Sequence, residues 1–314
     1  MQAVFLDKGT FSDNVDLPAP SGISDYVTYN DTSKDNDLII ERCRDADIII
    51  TNKVKIDRDV IAKLPKLKLI QLTATGKNNV DQDACAEHNV ALYNVAGYAV
   101  KSVPEHTFML MLSAMRASIH YHQKVADGTW RDNGNFCLLD IPLIDLEDKT
   151  LGIIGAGHIG KRVTEIARAF GMTVLWAEHQ GRMPRNEDYT AFEEVLAQSD
   201  VISLHCPLNE QTKHLINKAT LAKMARQPLI VNVARGGIVD SQALTDAINS
   251  EQIIGYATDV FEQEPISADD PLLSLADHPR VIFSPHNAWG SKSAQETLWQ
   301  ILSKQVTDFI DNCQ

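Results

Sequence analysis

The sequence predicts an α/β fold built on open parallel sheets. Short, wholly apolar runs recur along the chain, separated by polar or amphipathic stretches of helical character. A glycine-rich turn, GAGHIG at 155–160, directly follows one of these runs and opens a helical stretch. At 314 residues the chain has the length of two domains.

Four runs in the first ninety-five residues read as buried parallel strands: AVFLD (3–7), ADIIIT (46–51), LKLIQLTA (67–74) and VALYNV (90–95). DNDLIIERCRD (35–45) reads as a helix between the first two. Ser102 with Glu105 three residues on forms a capping-box pattern, and Pro104 falls in the first turn, where a missing N–H costs little. One long helix is therefore expected through FMLMLSAMRASIHYHQKV (108–125), with its methionines read as core rather than as a cofactor surface. Residues 128–149 read as an irregular connection.

A second series begins at Thr150. Its strands are expected at 150–155, 172–178, 200–205, 228–234, 253–260 and 280–286, with amphipathic helices between them. Six such strands match a dinucleotide-binding Rossmann domain. A last helix is expected from Ser291 to Asn312. The layout is discontinuous: residues 1–98 with 288–314 form one domain, and 99–287 form the other.

Composition narrows the function classes. The 29 basic and 42 acidic residues leave a net charge of −13, which disfavours nucleic acid and anionic membranes as partners. Forty-four per cent hydrophobic and 23% charged residues are ordinary for a globular protein, and no 18-residue apolar run predicts a membrane span. The opening MQAVFLDKGTF predicts no secretory leader. Five isolated cysteines without a CxxC pair predict a reducing, cytoplasmic setting, and no Cys/His spacing predicts a metal site.

The chemistry concentrates at strand ends. In Gly155-Ala156-Gly157-His158-Ile159-Gly160 the first glycine permits the tight turn, the second lets backbone approach a pyrophosphate, and the third lets helix and strand pack closely. The helix N-terminus then offers N–H groups to the phosphates. Glu178 ends the next strand, where an acid accepts bonds from adenosine ribose hydroxyls and repels a 2′-phosphate, so NAD is expected over NADP. Arg182 is either a solvated loop charge or a cation that softens this preference. Arg235, Asp259, His286 and the pair Cys206-Pro207 each fall at the carboxyl end of an expected strand, where ligands bind in such sheets. Beside a nicotinamide, a histidine with a carboxylate partner can donate a proton to a nascent alkoxide, and an arginine can grip a substrate carboxylate. Glu264, in EQEP, is the best-placed partner for His286.

VNVARGGIVD (231–240), DVFEQEP (259–265) and SPHNAW (284–289) resemble the D-isomer-specific 2-hydroxyacid dehydrogenases, as do TATGKNNVD (73–81), NVAGYAVKSVPEHTF (94–108) and the GAGHIG turn. The resemblance implies two Rossmann-like doubly wound parallel-sheet domains with the active site in the cleft between them, and a homodimer formed through the cofactor domains. It implies a catalytic triad of Arg235, Glu264 and His286, and a substrate carboxylate held by Arg235 and by the backbone of Ala74-Thr75-Gly76. It further implies cofactor contacts from Cys206, Pro207, Thr212, Val233 and Ala234, with Asp259 accepting the nicotinamide carboxamide. Lys53 is a cleft-facing cation by the same resemblance, or simply an exposed loop lysine. PEHTF departs from the family in its proline, and Glu178 stands where aspartate is commoner. The nearest branch is glycerate dehydrogenase (hydroxypyruvate reductase), with glyoxylate, pyruvate and phosphohydroxypyruvate as alternative substrates. The dinucleotide-sensing corepressors share the implied fold, but this chain has neither a long disordered tail nor a basic nuclear segment.

Overall fold

Parallel pairing runs through both sheets of the protein, which a computed structural model describes over residues 1–32 and 35–313. Ser33, Lys34 and Gln314, which belong to the stretches 1–98 and 288–314 considered above, lie outside the described residues. The chain forms two compact units, Met1–Ala99 with Trp289–Gln314, and Val100–Ala288.

In the first unit the strands are β1 (Gln2–Phe5), β2 (Asp25–Thr28), β3 (Ile48–Thr51), β4 (Leu69–Leu72) and β5 (Ala91–Tyr93), in the order β2-β1-β3-β4-β5. Alternate residues of β3 serve opposite faces. Ile49 packs with α1 (Asn36–Cys43), α2 (Arg58–Ala62) and α3 (Gln82–Glu87) through Ile39, Val60, Ile61 and Ala84. Ile48 and Ile50 share the other face with Phe5 and with Leu298, Trp299 and Leu302 of the chain's last helix. This double burial is why the strands read as continuous apolar runs. β2 escapes such a reading because DYVT is an edge strand with no fully buried residue.

The second unit opens with α4 (Ser102–Met115), α5 (Ser118–Ala126) and α6 (Thr129–Asn133). Then come β6 (Thr150–Ile154), α7 (His158–Ala169), β7 (Thr173–Ala177), β8 (Tyr189–Thr190), α8 (Phe192–Gln198), β9 (Val201–Leu204), α9 (Lys218–Leu221), β10 (Leu229–Asn232), α10 (Ser241–Asn249), β11 (Gly255–Thr258) and β12 (Val281–Phe283). The sheet order is β12-β11-β10-β9-β6-β7-β8. Strand order reverses between β6 and β9, the switch point at which such sheets bind ligands. The chain returns to the first unit as α11 (Lys292–Asn312), close to the expected span, with Ser291 as its N-cap. Among the described residues no helix is long and apolar enough to cross a membrane.

Three local expectations fail, one of them being the irregular connection at 128–149, which contains α6. The long helix is two helices, broken at Ala117, which adopts φ +46°. Ser102 is the first helical residue rather than the cap, and its hydroxyl donates to the Ala288 carbonyl at 2.5 Å. Met111 and Met115 do lie in the core. The break is held from far along the chain by buried Arg280, which donates to the carbonyls of Ala114 and Met115, each at 3.0 Å, and to that of Pro142. The Ala114 and Met115 carbonyls, at the end of α4, also accept the Ala117 and Ile144 N–H groups at 3.2 and 3.1 Å, so the guanidinium gives each a second bond. Burial lowers the guanidinium pKa. Arg280→Ala removes three hydrogen bonds from a charged donor in a buried setting, at a cost of about 3 kcal/mol. Urea unfolding is expected to report that loss, and Arg280→Lys is expected to recover only part of it.

Candidate active site

Register places the candidate residues side by side. Ile154, Leu204, Asn232, Thr258 and Phe283 occupy one row across five parallel strands. The segments that leave this row carry Gly155, Cys206, Arg235, Asp259 and His286. Each strand stops when its buried apolar run ends, so the reactive residues gather at one edge of the sheet.

At the switch point, Gly155 turns with φ +104°, and a Cβ there would lie 2.5 Å from the Cys206 nitrogen. Gly157 is different: a Cβ built on it would meet nothing within 4 Å, because it faces open space. No side chain caps α7. The turn ending at its N-cap Gly157 fronts a cavity of about 510 Å³ lined by Gly155, Gly157, Glu178, Cys206, Pro207 and Thr212, among others. An open glycine cradle at an uncapped helix N-terminus fits the pyrophosphate of a dinucleotide. His158, Ile159 and Gly160 begin α7 without lining this cavity, and Val233, Ala234 and Asp259 lie outside its lining. Thr212 is fixed through its hydroxyl, which donates to the Pro207 carbonyl at 2.6 Å. Burial pushes the Cys206 thiol up to about 11 and the neighbouring His205 imidazole down to about 3, so both are neutral near pH 7.

Glu178 is buried just beyond β7, and its carboxylate is already occupied. Arg185 donates from Nε (2.7 Å), Nη2 (2.5 Å) and its backbone N–H (2.9 Å), and the His179 backbone N–H adds a fourth bond at 2.8 Å. Two carboxylate oxygens offer about four acceptor sites. The Arg185 guanidinium holds the Glu178 carboxyl well below the usual range. It also lies over the Tyr189 ring, 4.3 Å from the centroid. The cation beside Glu178 is thus Arg185 and not Arg182, although Arg182 also lines the cavity. Spacing could not choose between two arginines in one loop.

Asp259 is buried and receives three bonds. Its Oδ1 accepts from the Ser284 hydroxyl (2.7 Å) and the Asn287 N–H (2.9 Å), and its Oδ2 accepts from the Ala288 N–H (2.8 Å). Behind it, His106 Nε2 lies 2.9 Å from the Ser284 hydroxyl, and burial lowers the pKa of that imidazole. These bonds clamp the loop on both sides of His286, which adopts φ +53°, a conformation costly for a non-glycine residue. The His286 Nδ1 lies 2.6 Å from Glu264 Oε2, and Glu264 Oε1 accepts the Phe261 N–H at 3.1 Å. With Nδ1 engaged, Nε2 is the nitrogen left to exchange a proton. Arg235 is extended, with Nη1 donating to the Ala234 carbonyl, and Asn232 Nδ2 donates to the Arg235 carbonyl at 3.0 Å. Gly236 follows because any Cβ there would overlap the Phe261 carbonyl. Ser284, His106 and Asn232 were missed by sequence reasoning, since their roles exist only in the folded hydrogen-bond pattern.

Thr75 and Gly76 belong to the first unit and follow β4. The Thr75 hydroxyl donates to the Val95 carbonyl at 2.9 Å, and Asn94 Nδ2 donates to the Thr75 carbonyl at 2.6 Å. Nearby in sequence to β3, the turn bearing Lys53 is fixed by buried Asp7, which accepts the Asn52 and Lys53 N–H groups at 2.9 and 2.7 Å. Burial pushes the Asp7 carboxyl up.

A switch-point cavity fit for a dinucleotide, with a histidine–carboxylate pair and an arginine along the same strand edge, defines a dinucleotide-dependent oxidoreductase. Residues 108–288 match the family model of the D-isomer specific 2-hydroxyacid dehydrogenase NAD-binding domain. The chain is 38% identical over 311 residues to a glycerate dehydrogenase of Methylorubrum extorquens, covering 99% of this chain and 95% of the relative. It is 35% identical over 301 residues to a hydroxypyruvate reductase of Blautia hydrogenotrophica, covering 95% and 92%. The solved pyruvate reductase of Chlamydomonas reinhardtii is similar with a TM-score of 0.83 and 27% identity, over 99% of this chain and 97% of that one. The chain belongs to the D-isomer specific 2-hydroxyacid dehydrogenase family. It is an NAD-dependent oxidoreductase acting on the CH–OH group of 2-hydroxy acids.

The clamp on the His286 loop is testable without touching the histidine. Ser284→Ala removes the hydroxyl between His106 and Asp259, and kcat is expected to fall about tenfold through misplacement of His286. The KM for NADH is expected to stay constant, with Ser284→Thr restoring turnover.

Proposed function

We propose that the protein is a glycerate dehydrogenase that reduces hydroxypyruvate at C2 with NADH, and reverses the reaction on D-glycerate. The observation that carries this reading is the 2.6 Å pair between His286 Nδ1 and Glu264 Oε2 at the strand edge. The names of relatives at 35 and 38% identity support the choice of substrate. NADH, when bound, supplies the hydride. Arg235 grips the substrate carboxylate and the neighbouring carbonyl oxygen with its planar fork of donors. The backbone of Ala74, Thr75 and Gly76 holds the same carboxylate. His286 gives its proton to the carbonyl oxygen as the alkoxide forms, and Glu264 stabilises the imidazolium beforehand. Val233 and Ala234 lie beside the nicotinamide, and Asp259 accepts its carboxamide through the remaining acceptor site of Oδ2. The residues 99–287 form the cofactor domain on this reading, and 1–98 with 288–314 the substrate domain.

Initial rates over hydroxypyruvate, glyoxylate, pyruvate and phosphohydroxypyruvate test the substrate. Hydroxypyruvate is expected to give the highest kcat/KM, and a higher value for any other acid reassigns the substrate within the family. Glu264→Gln keeps the side-chain shape but removes its charge. Reduction is expected to slow by about 100-fold. NADH affinity by fluorescence titration is expected to hold. Affinity lost in step with turnover would end the proposed role.

The working form on this reading is a homodimer joined through the cofactor units, in the cytoplasm, where five free thiols are at home. Twelve large hydrophobic side chains are exposed among the described residues, and seven of them lie between Met109 and Leu143, including Phe136 at 96% and Leu139 at 67%. Such clustering is characteristic of a covered surface. Light scattering is expected to find a dimer, and Phe136→Glu with Leu139→Glu is expected to give a monomer.

A further inference from the structure

The corner of the cavity at Glu178 carries a charge balance that the identity of Glu178 alone does not reveal. An acid at this position discriminates against a 2′-phosphate by repulsion and selects ribose by accepting its hydroxyls. Neither action is open to this carboxylate. Four N–H donors, three of them from Arg185, fill its acceptor sites, and His179 Nδ1 lies 2.7 Å from both Oε1 and Arg185 Nη2, so a ribose hydroxyl must displace a contact already made. The guanidinium cancels its charge at contact distance, and Arg182 in the same lining leaves the corner net positive. Glu178 uses only Nε and Nη2 of Arg185, so the Nη1 edge of the fork is not taken up by the carboxylate. The guanidinium is held still by the two-point bond on one side and the Tyr189 ring on the other. A rigid, half-exposed arginine edge is a phosphate-binding group.

We propose that Arg185 sets the dinucleotide specificity of this protein, cancelling the Glu178 charge and offering its free edge to a 2′-phosphate, so that the site takes NADPH as well as NADH. This rests on the cavity being the dinucleotide site, which a separate variant checks. Arg185 is a preformed anion seat, and Glu178 both fixes it and offsets its charge.

Dissociation constants for NADH and NADPH, measured by quenching of protein fluorescence without substrate, provide the test. The native ratio of NADPH to NADH constants is expected below about thirty, and Arg185→Gln is expected to raise it by about tenfold or more. Thermal-shift titration with 2′-AMP against 5′-AMP, which probes the adenosine corner alone, is expected to follow the same order. Glu178→Gln, which leaves Arg185 charged, is expected to lower the ratio. A native ratio above about thirty, a smaller rise in Arg185→Gln, or an unchanged or raised ratio in Glu178→Gln overturns the proposal. Gly157→Val projects a side chain into open space and is expected to abolish binding of both dinucleotides. Retention of both would place the dinucleotide elsewhere, and the site assignment would fall with the proposal.

Discussion

Everything functional in this protein depends on the hydrogen-bond register of parallel strands. A parallel ladder spaces its bonds evenly and allows no hairpin between neighbours, so successive strands end at the same edge. Five strands of the larger sheet end level at Ile154, Leu204, Asn232, Thr258 and Phe283. Residues more than a hundred positions apart in sequence thereby share one edge without any long loop reaching across. The apolar runs define where the strands stop, and that decides which polar residues emerge together.

Two buried carboxylates then do similar physical work at that edge. Asp259 accepts three donors and holds the loop around His286 in a backbone conformation the histidine would not adopt unaided. Glu178 accepts four and holds a loop containing Arg185. In each case burial would make an unpaired carboxylate expensive, and full pairing turns it into a rigid anchor. His286 and Arg185 are both held by a neighbouring carboxylate that is itself out of solvent.

The fold was largely legible in the sequence because buried parallel strands are continuous apolar runs, and ten of these runs correspond to strands. β2 and β8 were illegible for the same reason, being short edges with half-exposed residues. The break at Ala117 was invisible locally, because the group that stabilises it is Arg280, and an amphipathic pattern cannot report a partner so remote. Ser102 misled as a cap because the Ala288 carbonyl takes its hydroxyl. At the site, the strand-end positions of Arg235, Asp259 and His286 were readable. Arg185, Ser284 and His106 were not, since nothing in a spacing distinguishes a charge that finds a buried partner from one that stays in water.

The Arg280 clamp also orders events in time. Its contacts to Ala114, Met115 and Pro142 span 138 to 166 residues. During synthesis the apolar stretch from Met109 to Leu143 leaves the ribosome long before residue 280 is made. The turn between α4 and α5, and the anchored end of the loop after it, therefore cannot settle until the strand at the far edge of the sheet has arrived. A nascent chain therefore exposes this stretch before it can take its final shape.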